Sequence, residues 1–472
     1  MNPLILLLIG MAVVLLGILV VKLHPVVALL SGALIVGLLT PPSLLQTYAV
    51  GKHLSPAQVN ALLHQSLGER IANAFGDTCA KIGLLIVLAC IVGKCILDSG
   101  AAERIVRTLL KISGEKRAPI AFMLSSFILG VPIFVDTVFL LMLPLARAMG
   151  VRMPKSYALF IMAVIAGPTI THSLVPPAAG PVFAARALNV SLGSMIIMGL
   201  IIGIVCSSAG LLYAYWQNRR QDIPLRGTAD MSIEKLKEWS QKDSTQLPSF
   251  FMSMLPICIP VVLISGETIT GSISNVNHGL RSFFVLTGDP VIAMFISTGF
   301  SLILLAKQFA FSVEALRKPL EDAVYSAGTI ILIIASGGAF GAMLQQTSIG
   351  NWLAANTAGF KLGVLPLAFV VTAFIRTAQG SATVAIITAI GMLSSFNTPA
   401  ALGFHPVYLA IVIGCGSKII PWMNDSGFWL ISKTCGFTEQ ETMKTDSLLL
   451  AVMGITGLIT TMLMAKLFPF PF

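Results

Sequence analysis

The sequence predicts an all-α polytopic membrane protein, organised as an inverted repeat with five transmembrane helices and one re-entrant hairpin in each half. Three observations predict this fold class: an apolar composition, two long apolar stretches interrupted near their centres, and a matching order of features in the two halves. The interruptions also predict discontinuous helices at the bilayer midplane.

The composition is that of a membrane protein. Hydrophobic residues make up 56% of the 472 residues, and charged residues only 11%, against about 25% in soluble domains. This composition excludes a soluble enzyme, a disordered chain and a nucleic-acid-binding protein. The net charge of +10 is consistent with cytoplasmic loops enriched in Lys and Arg. Seven cysteines, an odd number without metal-ligand spacing, predict buried thiols, and no cofactor or metal is expected.

Ten apolar stretches approach the ~20 residues that a helix needs to cross the bilayer core. These candidate spans are 3–21, 25–40, 80–97, 157–185, 190–216, 250–266, 290–306, 328–346, 405–431 and 447–468.

Two further apolar stretches, 118–148 and 364–395, are too long for one span and are interrupted near the middle. The interrupting residues are Gly130, Pro132 and Asp136 in the first stretch and Arg376, Gln379, Gly380 and Ser381 in the second. A charge and a helix breaker at bilayer depth indicate two half-helices joined by a polar tip. An ordinary kinked helix is the alternative for each stretch.

The loop charges predict the topology. Segments 98–117 and 147–155, on either side of the first stretch, are basic, which indicates that both are cytoplasmic. The flanks of the second stretch are nearly uncharged, which indicates that both are external. This topology places both termini outside, with twenty of the thirty Lys and Arg residues inside, seven outside, and Lys94, Arg376 and Lys418 at membrane depth.

The two halves resemble each other at an offset of 246 to 249 residues. The interrupted stretches correspond at this offset, and so do the polar segments 167–183 and 416–429. Each half has five spans, an odd number, and a hairpin that returns to the side from which it entered. The second half is therefore inverted relative to the first. We therefore divide the chain into a first repeat, 1–216, a cytoplasmic linker, 217–249, and a second repeat, 250–472. Inverted repeats with discontinuous helices are typical of secondary transporters.

Polar residues lie at four breaks, which the inverted repeat would bring together near the midplane. Charges at this depth cost roughly 2.5–3.5 kcal/mol on insertion scales, so we expect them to serve a function. Half-helix N-termini present free N–H groups that suit a carboxylate. The candidate substrate-binding residues are Asp136, Thr137, Thr171, His172, Ser173, Arg376, Gln379, Ser381, Thr383, Asn424, Asp425 and Ser426.

Arg376 is the only cation at a hairpin tip, and we predict that it binds the substrate carboxylate, with help from Lys418. A guanidinium offers the bidentate fork that an ammonium lacks. We expect Asp425, with Asn424 and Ser426, to bind substrate hydroxyls. Structural pairing of Lys418 with Asp425, and of Asp136 with Arg376, is the alternative for these charges.

The candidate proton carriers are Asp136, His172 and Asp425, in that order. Histidine has an unperturbed pKa of about 6.5, and a carboxyl group in apolar surroundings can hold a proton near neutral pH. Asp136 comes first because no cation lies near it in the sequence, whereas Lys418 lies close to Asp425.

Four sequence segments resemble the gluconate permease family of bacterial proton symporters. They are PIFVDTVFLLMLPLA (132–146), GPTITHSLVPPAAGPVFAA (167–185), RTAQGSATVAIIT (376–388) and MNDSGFWLISKTCGFTEQETMKT (423–445). The resemblance extends over nearly the whole chain. It implies import of a sugar acid or another small hydroxy acid with protons, across the bacterial inner membrane. It also implies a homodimer with elevator architecture.

The chain departs from the gluconate-transporting pattern at two places. Where such members typically read Pro-Pro-His-Pro-Gly-Pro, residues 176–181 read PPAAGP, and Asp136 is followed by Thr137 rather than by a Gly-Phe pair. The substrate therefore stays open among gluconate, other hydroxy acids and D-amino acids such as D-serine.

The function predicted from these features is proton symport of a small hydroxy monocarboxylate. A sodium-coupled carboxylate or dicarboxylate carrier of the same architecture is the alternative within transporters. An intramembrane enzyme is disfavoured because the chain has no metal cluster and no nucleophile–base pair. An anion channel is disfavoured because two opposed hairpins suit alternating access.

We predict that residues 111–117 and 152–155 are both cytoplasmic and that 357–362 and 398–404 are both external, because of the distribution of basic residues. Single cysteines placed in each segment and labelled in intact cells with a membrane-impermeant reagent would measure this. Labelling of 152–155 from outside would contradict the first hairpin and the repeat with it.

Overall fold

The computed structural model describes residues 2–51, 55–114, 117–226, 247–273, 277–349, 363–393, 402–422 and 425–470, and all regular structure in these ranges is helical. The helices before the linker are α1 (Pro3–Leu19), α2 (Pro25–Leu39), α3 (Pro42–Gly51), α4 (Pro56–His64), α5 (Leu67–Asp98), α6 (Ala101–Ser113), α7 (Ala118–Leu129), α8 (Val135–Arg152), α9 (Tyr157–Ala166), α10 (Pro168–Leu174), α11 (Ala179–Ala187) and α12 (Leu192–Arg220). Those after it are α13 (Phe250–Ser272), α14 (His278–Thr287), α15 (Pro290–Gln308), α16 (Val313–Gln346), α17 (Val364–Gln379), α18 (Ala382–Leu393), α19 (Val407–Gly416), α20 (Ser426–Cys435), α21 (Glu439–Thr442) and α22 (Leu448–Leu467).

Seven helices or helix runs in the described ranges are long and apolar enough to cross a membrane, and the pair α2–α3, bent by 102°, would make an eighth. Two of the seven, α5 and α16, begin earlier than the sequence predicted, at Leu67 and Val313 instead of 80 and 328. The amphipathic segments ahead of the predicted spans are the first turns of the same helices. At Leu67 a capping box between Ser66 and Glu69 fixes the start.

Several apolar helices are too short to cross the bilayer. Helix α7 has 12 residues, which gives ~18 Å against a hydrocarbon core of ~30 Å. The chain is broken at 130–134 between α7 and α8 and at 380–381 between α17 and α18, where the sequence predicted the interruptions. Further breaks fall at 175–178 and between α19 and α20. The prediction that each broken pair is a re-entrant hairpin, which enters and leaves on the same side of the membrane, stays a prediction. The inverted repeat also stays a prediction.

The two longest helices, α5 and α16, form the centre of one group of helices, and the broken helices form a second group together with the long helix α12. Helices α5 and α16 pack along each other and against α2 and α15. Helix α10 lies at the centre of the second group, where it contacts α7, α8, α9, α11, α12 and α19. The broken segments therefore converge inside the second group. Of the predicted linker, 217–220 belong to α12, and 227–246 lie outside the described residues.

Side-chain hydroxyls compensate for proline inside the helices. Pro260 lies within α13 and has no N–H to give to the carbonyl of Pro256, four residues earlier. Ser297 of α15 donates its hydroxyl to that carbonyl at 2.6 Å. At the break between α19 and α20, the Ser447 hydroxyl donates to the Pro421 carbonyl. Backbone carbonyls left free at membrane depth by a proline or by a break are thus satisfied by a neighbouring segment.

A polar cluster holds the C-terminal end of α20. The carbonyls of residues 434–436 accept hydrogen bonds from Arg147 of α8 at 2.8 Å, from the Tyr157 hydroxyl at 3.0 Å and from Arg226 at 2.8 Å. Arg226 also donates two bonds to Glu441, at 2.6 and 2.8 Å. Cations at a helix C-terminus oppose its partial negative charge. The cluster therefore fixes the position of α20, whose other end faces the site described below.

Gly93 allows α5 to approach the break between α7 and α8. A Cβ atom at this position would lie 2.6 Å from the backbone carbonyl oxygen of Pro132, which cannot move away as a flexible side chain can. We predict that Gly93→Ala destabilises the fold by about 1–3 kcal/mol and lowers the thermal unfolding temperature in detergent. Gly83→Ala in the same helix is the matched control, because its Cβ would have no neighbour closer than 3.9 Å. Equal unfolding temperatures for the two variants would contradict the close approach.

Candidate functional site

A cavity of about 200 Å³ lies where the broken segments meet. Its walls come from α8, α9, α10, the break between α17 and α18, Lys418 and Pro421 after α19, the first half of α20, and the residues around the start of α22. The polar side chains that line it are Asp136, Thr169, His172, Arg376, Ser381, Thr383, Lys418, Asp425 and Asp446. Two cations, three carboxylates and one imidazole therefore share a small space within an otherwise apolar protein.

Arg376 and Asp425 form a buried ion pair across the cavity wall. Nη2 of Arg376 donates to Oδ2 of Asp425, and the side chains are only 6% and 8% exposed. Oδ1 of the same aspartate accepts from the N–H of Gly427 at 2.6 Å and so caps the N-terminus of α20. Both carboxylate oxygens of Asp425 thus have structural partners. The pairs considered from the sequence, Lys418 with Asp425 and Asp136 with Arg376, are replaced by this one, because the fold brings the two breaks of the second half together.

Arg376 retains donors that the protein does not use. Its Nε and Nη1 atoms are buried and have no hydrogen-bond partner in the described residues. Leaving a charged group's donors unsatisfied in a buried site is costly. Arg376 is in the last turn of α17, which ends at Gly380 with φ of +79°, a left-handed conformation that glycine adopts without strain. The break thus ends the helix directly beside the guanidinium, whose Nε and Nη1 atoms remain without a partner in the described residues.

Asp136 lies beside Asp425 at the N-terminus of α20. A Cβ atom at Gly427 would be 3.1 Å from Oδ1 of Asp425 and 3.8 Å from Oδ1 of Asp136, so the two carboxylates flank this glycine. Asp136 is in the first turn of α8, where its charge suits the helix dipole. Unlike Asp425, it forms no ion pair with any residue in the described ranges, and its side chain is exposed to the cavity.

His172 lines the cavity with one ring nitrogen unsatisfied. Its Nδ1 atom is buried and has no hydrogen-bond partner among the residues that the structure describes. The imidazole packs against the Phe134 ring, with centroids 5.2 Å apart. Phe134 thereby lies at the edge of the cavity.

The predicted site residues divide into three groups. Asp136, His172, Arg376, Ser381, Thr383 and Asp425 line the cavity together. Thr137 lines a neighbouring cavity, Thr171 donates to the carbonyls of its own helix turn at 3.3 and 3.4 Å, and Ser173 accepts from Ser417 at 3.4 Å, so these three do not reach the central cavity. Asn424 and the side chains of Gln379 and Ser426 lie outside the described residues.

Two polar residues of the cavity, Asp446 and Thr169, were not among those predicted from the sequence. Asp446 is only 3% exposed and belongs to a π-helical turn, Met443–Ser447, ahead of α22. The segment reads as the edge of a cytoplasmic loop, because Lys444 precedes the apolar stretch. The sequence contains one signal for Asp446, because this carboxylate lies one residue before the predicted span 447–468. Lys418, predicted only as an aid to Arg376, is buried to the same degree and lines the same cavity.

The arrangement suits binding and translocation of an anion. Among the described residues, no group of three or more His, Cys, Asp or Glu side chains is arranged to hold a metal ion. The cavity offers unsatisfied N–H donors, hydroxyl groups that can bond substrate hydroxyls, and carboxylates that can exchange protons. It is bounded by helix breaks, which in membrane proteins occur where a polar cavity accommodates the free backbone groups.

The chain is similar to membrane permeases over most of its length. The family model described as GntP family permease matches residues 54–467. A gluconate permease of Zymomonas mobilis is 31% identical over 393 residues, covering 82% of this chain and 86% of that protein. The Gnt-II system L-idonate transporter of Escherichia coli is 28% identical over 462 residues, covering 97% of this chain and 98% of that protein.

A solved structure has the same fold. The Neisseria gonorrhoeae protein MtrF, whose structure is described as illuminating a class of antimetabolite efflux pumps, aligns with a TM-score of 0.64 and 15% identity, over 93% of this chain and 95% of that one. The apolar helices, the polar cavity at their breaks and the family match lead to one conclusion: the chain is a multi-pass membrane transporter, not an enzyme, and it belongs to the GntP permease family.

Proposed function

We propose that this transporter imports a small hydroxy monocarboxylate, a sugar acid of the gluconate type, together with protons. The observation that supports this most directly is the buried Arg376 guanidinium, whose Nε and Nη1 groups have no partner in the described ranges. A carboxylate can accept a charge-assisted hydrogen bond from either of these nitrogens, which lie on different edges of the guanidinium. Asp425 holds Nη2, so the guanidinium is oriented before the substrate arrives.

The hydroxyl groups around the Arg376 guanidinium support a polyhydroxy acid. Thr169, Ser381 and Thr383 line the cavity with Arg376 and can bond substrate hydroxyls. Two similar proteins are named for gluconate and L-idonate, which are both six-carbon hydroxy monocarboxylates. Because residues 176–181 read PPAAGP, we keep another hydroxy acid or a D-serine-like amino acid as alternatives within this class.

The charges in the cavity support proton coupling. Arg376 and Asp425 neutralise each other, which leaves Lys418, Asp136 and Asp446 as the other acidic and basic groups that line the cavity. An anionic substrate adds a negative charge beside these groups, and protonation of a carboxyl group would offset it. We assign the proton to Asp136, which is exposed to the cavity and lies beside the incoming carboxylate, and we rank His172 second. Sodium coupling is the runner-up.

The transport architecture is proposed from the order of elements. At offsets of 246 to 250 residues, α5 matches α16, α7–α8 match α17–α18, and α9 and α11 match α19 and α20. This order supports an inverted repeat, with halves 1–216 and 250–472 joined by a cytoplasmic linker, 217–249, and with re-entrant hairpins at 118–148 and 364–395. We propose that the cavity moves with the broken helices, elevator-fashion, within a homodimer in the bacterial inner membrane.

Purified protein in sodium-free proteoliposomes should accumulate gluconate above its external concentration when the outside is made acidic. Asp136→Asn imitates the protonated aspartate but cannot release the proton, so it should exchange substrate yet lose this accumulation. Accumulation that requires sodium would contradict proton coupling and favour the runner-up. Undiminished accumulation by Asp136→Asn would instead move the proton to His172.

Replacing Arg376 by Lys should weaken gluconate binding by about 10- to 100-fold, because a charge-assisted hydrogen bond contributes roughly 1.5–3 kcal/mol and an ammonium lacks the planar array of donors of a guanidinium. Isothermal titration of the purified variants would measure the dissociation constants. Arg186→Lys is the matched control, since Arg186 is exposed at the end of α11, away from the cavity. A dissociation constant unchanged by Arg376→Lys in a folded variant would remove Arg376 from the substrate site.

A further inference from the structure

A second cavity, of about 230 Å³, lies beside the central one and between the two groups of helices. One wall comes from α5 and α16, and the other from the break between α7 and α8 and the first turn of α8. Its polar lining residues are Lys94, Thr137, Asp322 and Ser326. The side chain of Asp322 is 54% exposed, so this cavity reaches the surface of the protein at α16.

Phe134 lies between the second cavity and the central one. Among the described residues, it is the only one that lines both. Phe134 is 37% exposed, whereas Ile133 in the same break and Phe139 in α8 are each only 2% exposed. Its ring packs against the imidazole of His172 on α10, with the centroids 5.2 Å apart, and tilted ring pairs of this kind are favourable. The ring is therefore a wall between two spaces, held in place by α10.

The backbone that carries this ring is fixed independently of the ring. Gly93 of α5 packs so closely against the Pro132 carbonyl oxygen that a Cβ atom there would be only 2.6 Å away. Phe134 follows in an extended conformation, with φ of −62° and ψ of 144°, as the residue that precedes the first turn of α8. Truncation of a partly exposed ring also leaves less cavity surface than truncation of a fully buried one. We therefore expect the protein to fold without the ring.

The second cavity suits an uncharged group that carries hydroxyls. The Lys94 ammonium lies 3.3 Å from the carboxylate of Asp98 and 3.5 Å from that of Asp322, so its charge is already compensated. A substrate carboxylate instead finds unpartnered N–H donors in the central cavity, at Arg376. The two hydroxyl side chains that line the second cavity can accept hydrogen bonds from the hydroxyls of a sugar.

We propose that Phe134 is a specificity-determining residue: its ring closes the central cavity towards the second cavity and thereby restricts the substrate to a short hydroxy acid. This inference rests on the proposed function, because it concerns the substrate class of the same site. An acid held at Arg376 and extended by a second sugar unit would collide with the ring. Specificity often depends on such steric exclusion of the wrong ligand. Removal of the ring would join the two cavities and admit the additional sugar.

The test compares D-gluconate with lactobionate, in which a galactosyl unit is attached to the gluconate chain. Isothermal titration of the purified full-length protein and of Phe134→Ala would measure the dissociation constants of both ligands. The wild type should prefer gluconate, and the ratio of the lactobionate constant to the gluconate constant should fall by about tenfold or more in the variant. A misfit of a single methylene in an apolar pocket already changes discrimination by about 10- to 200-fold.

Three further variants separate the joining of the cavities from a general loosening of the site. Phe134→Tyr keeps the ring and should keep the wild-type ratio. The double variant Phe134→Ala/Ser326→Trp refills the second cavity from α16 and should return the ratio towards that of the wild type. Phe134→Val also removes the ring and carries the same test if the alanine variant does not fold.

An unchanged ratio in folded Phe134→Ala, or no return of the ratio in the double variant, would overturn the assignment. Equal affinity of the wild type for the two ligands would also overturn it, while leaving the proposed function intact. Failure of the wild-type protein to bind gluconate at all would instead count against the proposed function.

Discussion

The site depends on one ion pair, between Arg376 and Asp425, which connects two helix breaks that are 49 residues apart in the sequence. Each member would be costly to bury alone. Together they fix the end of α17 against the start of α20, where Asp425 also caps the helix. This pairing leaves Arg376 with two unsatisfied donors, so the contact that stabilises the break also orients the group that we propose for the substrate.

The remaining charges follow from this pairing. Because Asp425 is committed to Arg376 and to the backbone of α20, Asp136 and Asp446 are the carboxyl groups that remain able to respond to a ligand. They lie on different elements, Asp136 on α8 and Asp446 on the π-helical turn, and only Asp446 is deeply buried. We therefore assign proton exchange to Asp136.

Broken helices are costly in a membrane unless their free backbone groups find partners. In the described residues, these partners come from neighbouring helices: Ser297 for the carbonyl of Pro256, Ser447 for that of Pro421, and Arg147 and Tyr157 for the end of α20. Close glycine contacts such as Gly93 against Pro132 bring the unbroken helices against the breaks. The polar cavity is thereby enclosed by segments whose free carbonyl groups accept hydrogen bonds from neighbouring helices.

The sequence by itself determined the membrane class and the positions of the breaks, and six of the twelve residues predicted for the site line the cavity. These features could be predicted because apolar length, proline, glycine and charge at bilayer depth act locally. Arg376 and Asp136 could be identified this way, since each lies beside a helix breaker. The tertiary structure decided the partners. It paired Arg376 with Asp425, directed Thr171 and Ser173 into backbone and side-chain contacts, and brought Asp446 into the cavity from a segment that reads as the edge of a loop. The direction in which a side chain points at a break depends on which helices pack there. The periodicity of the sequence does not contain that information, because it describes one helix at a time.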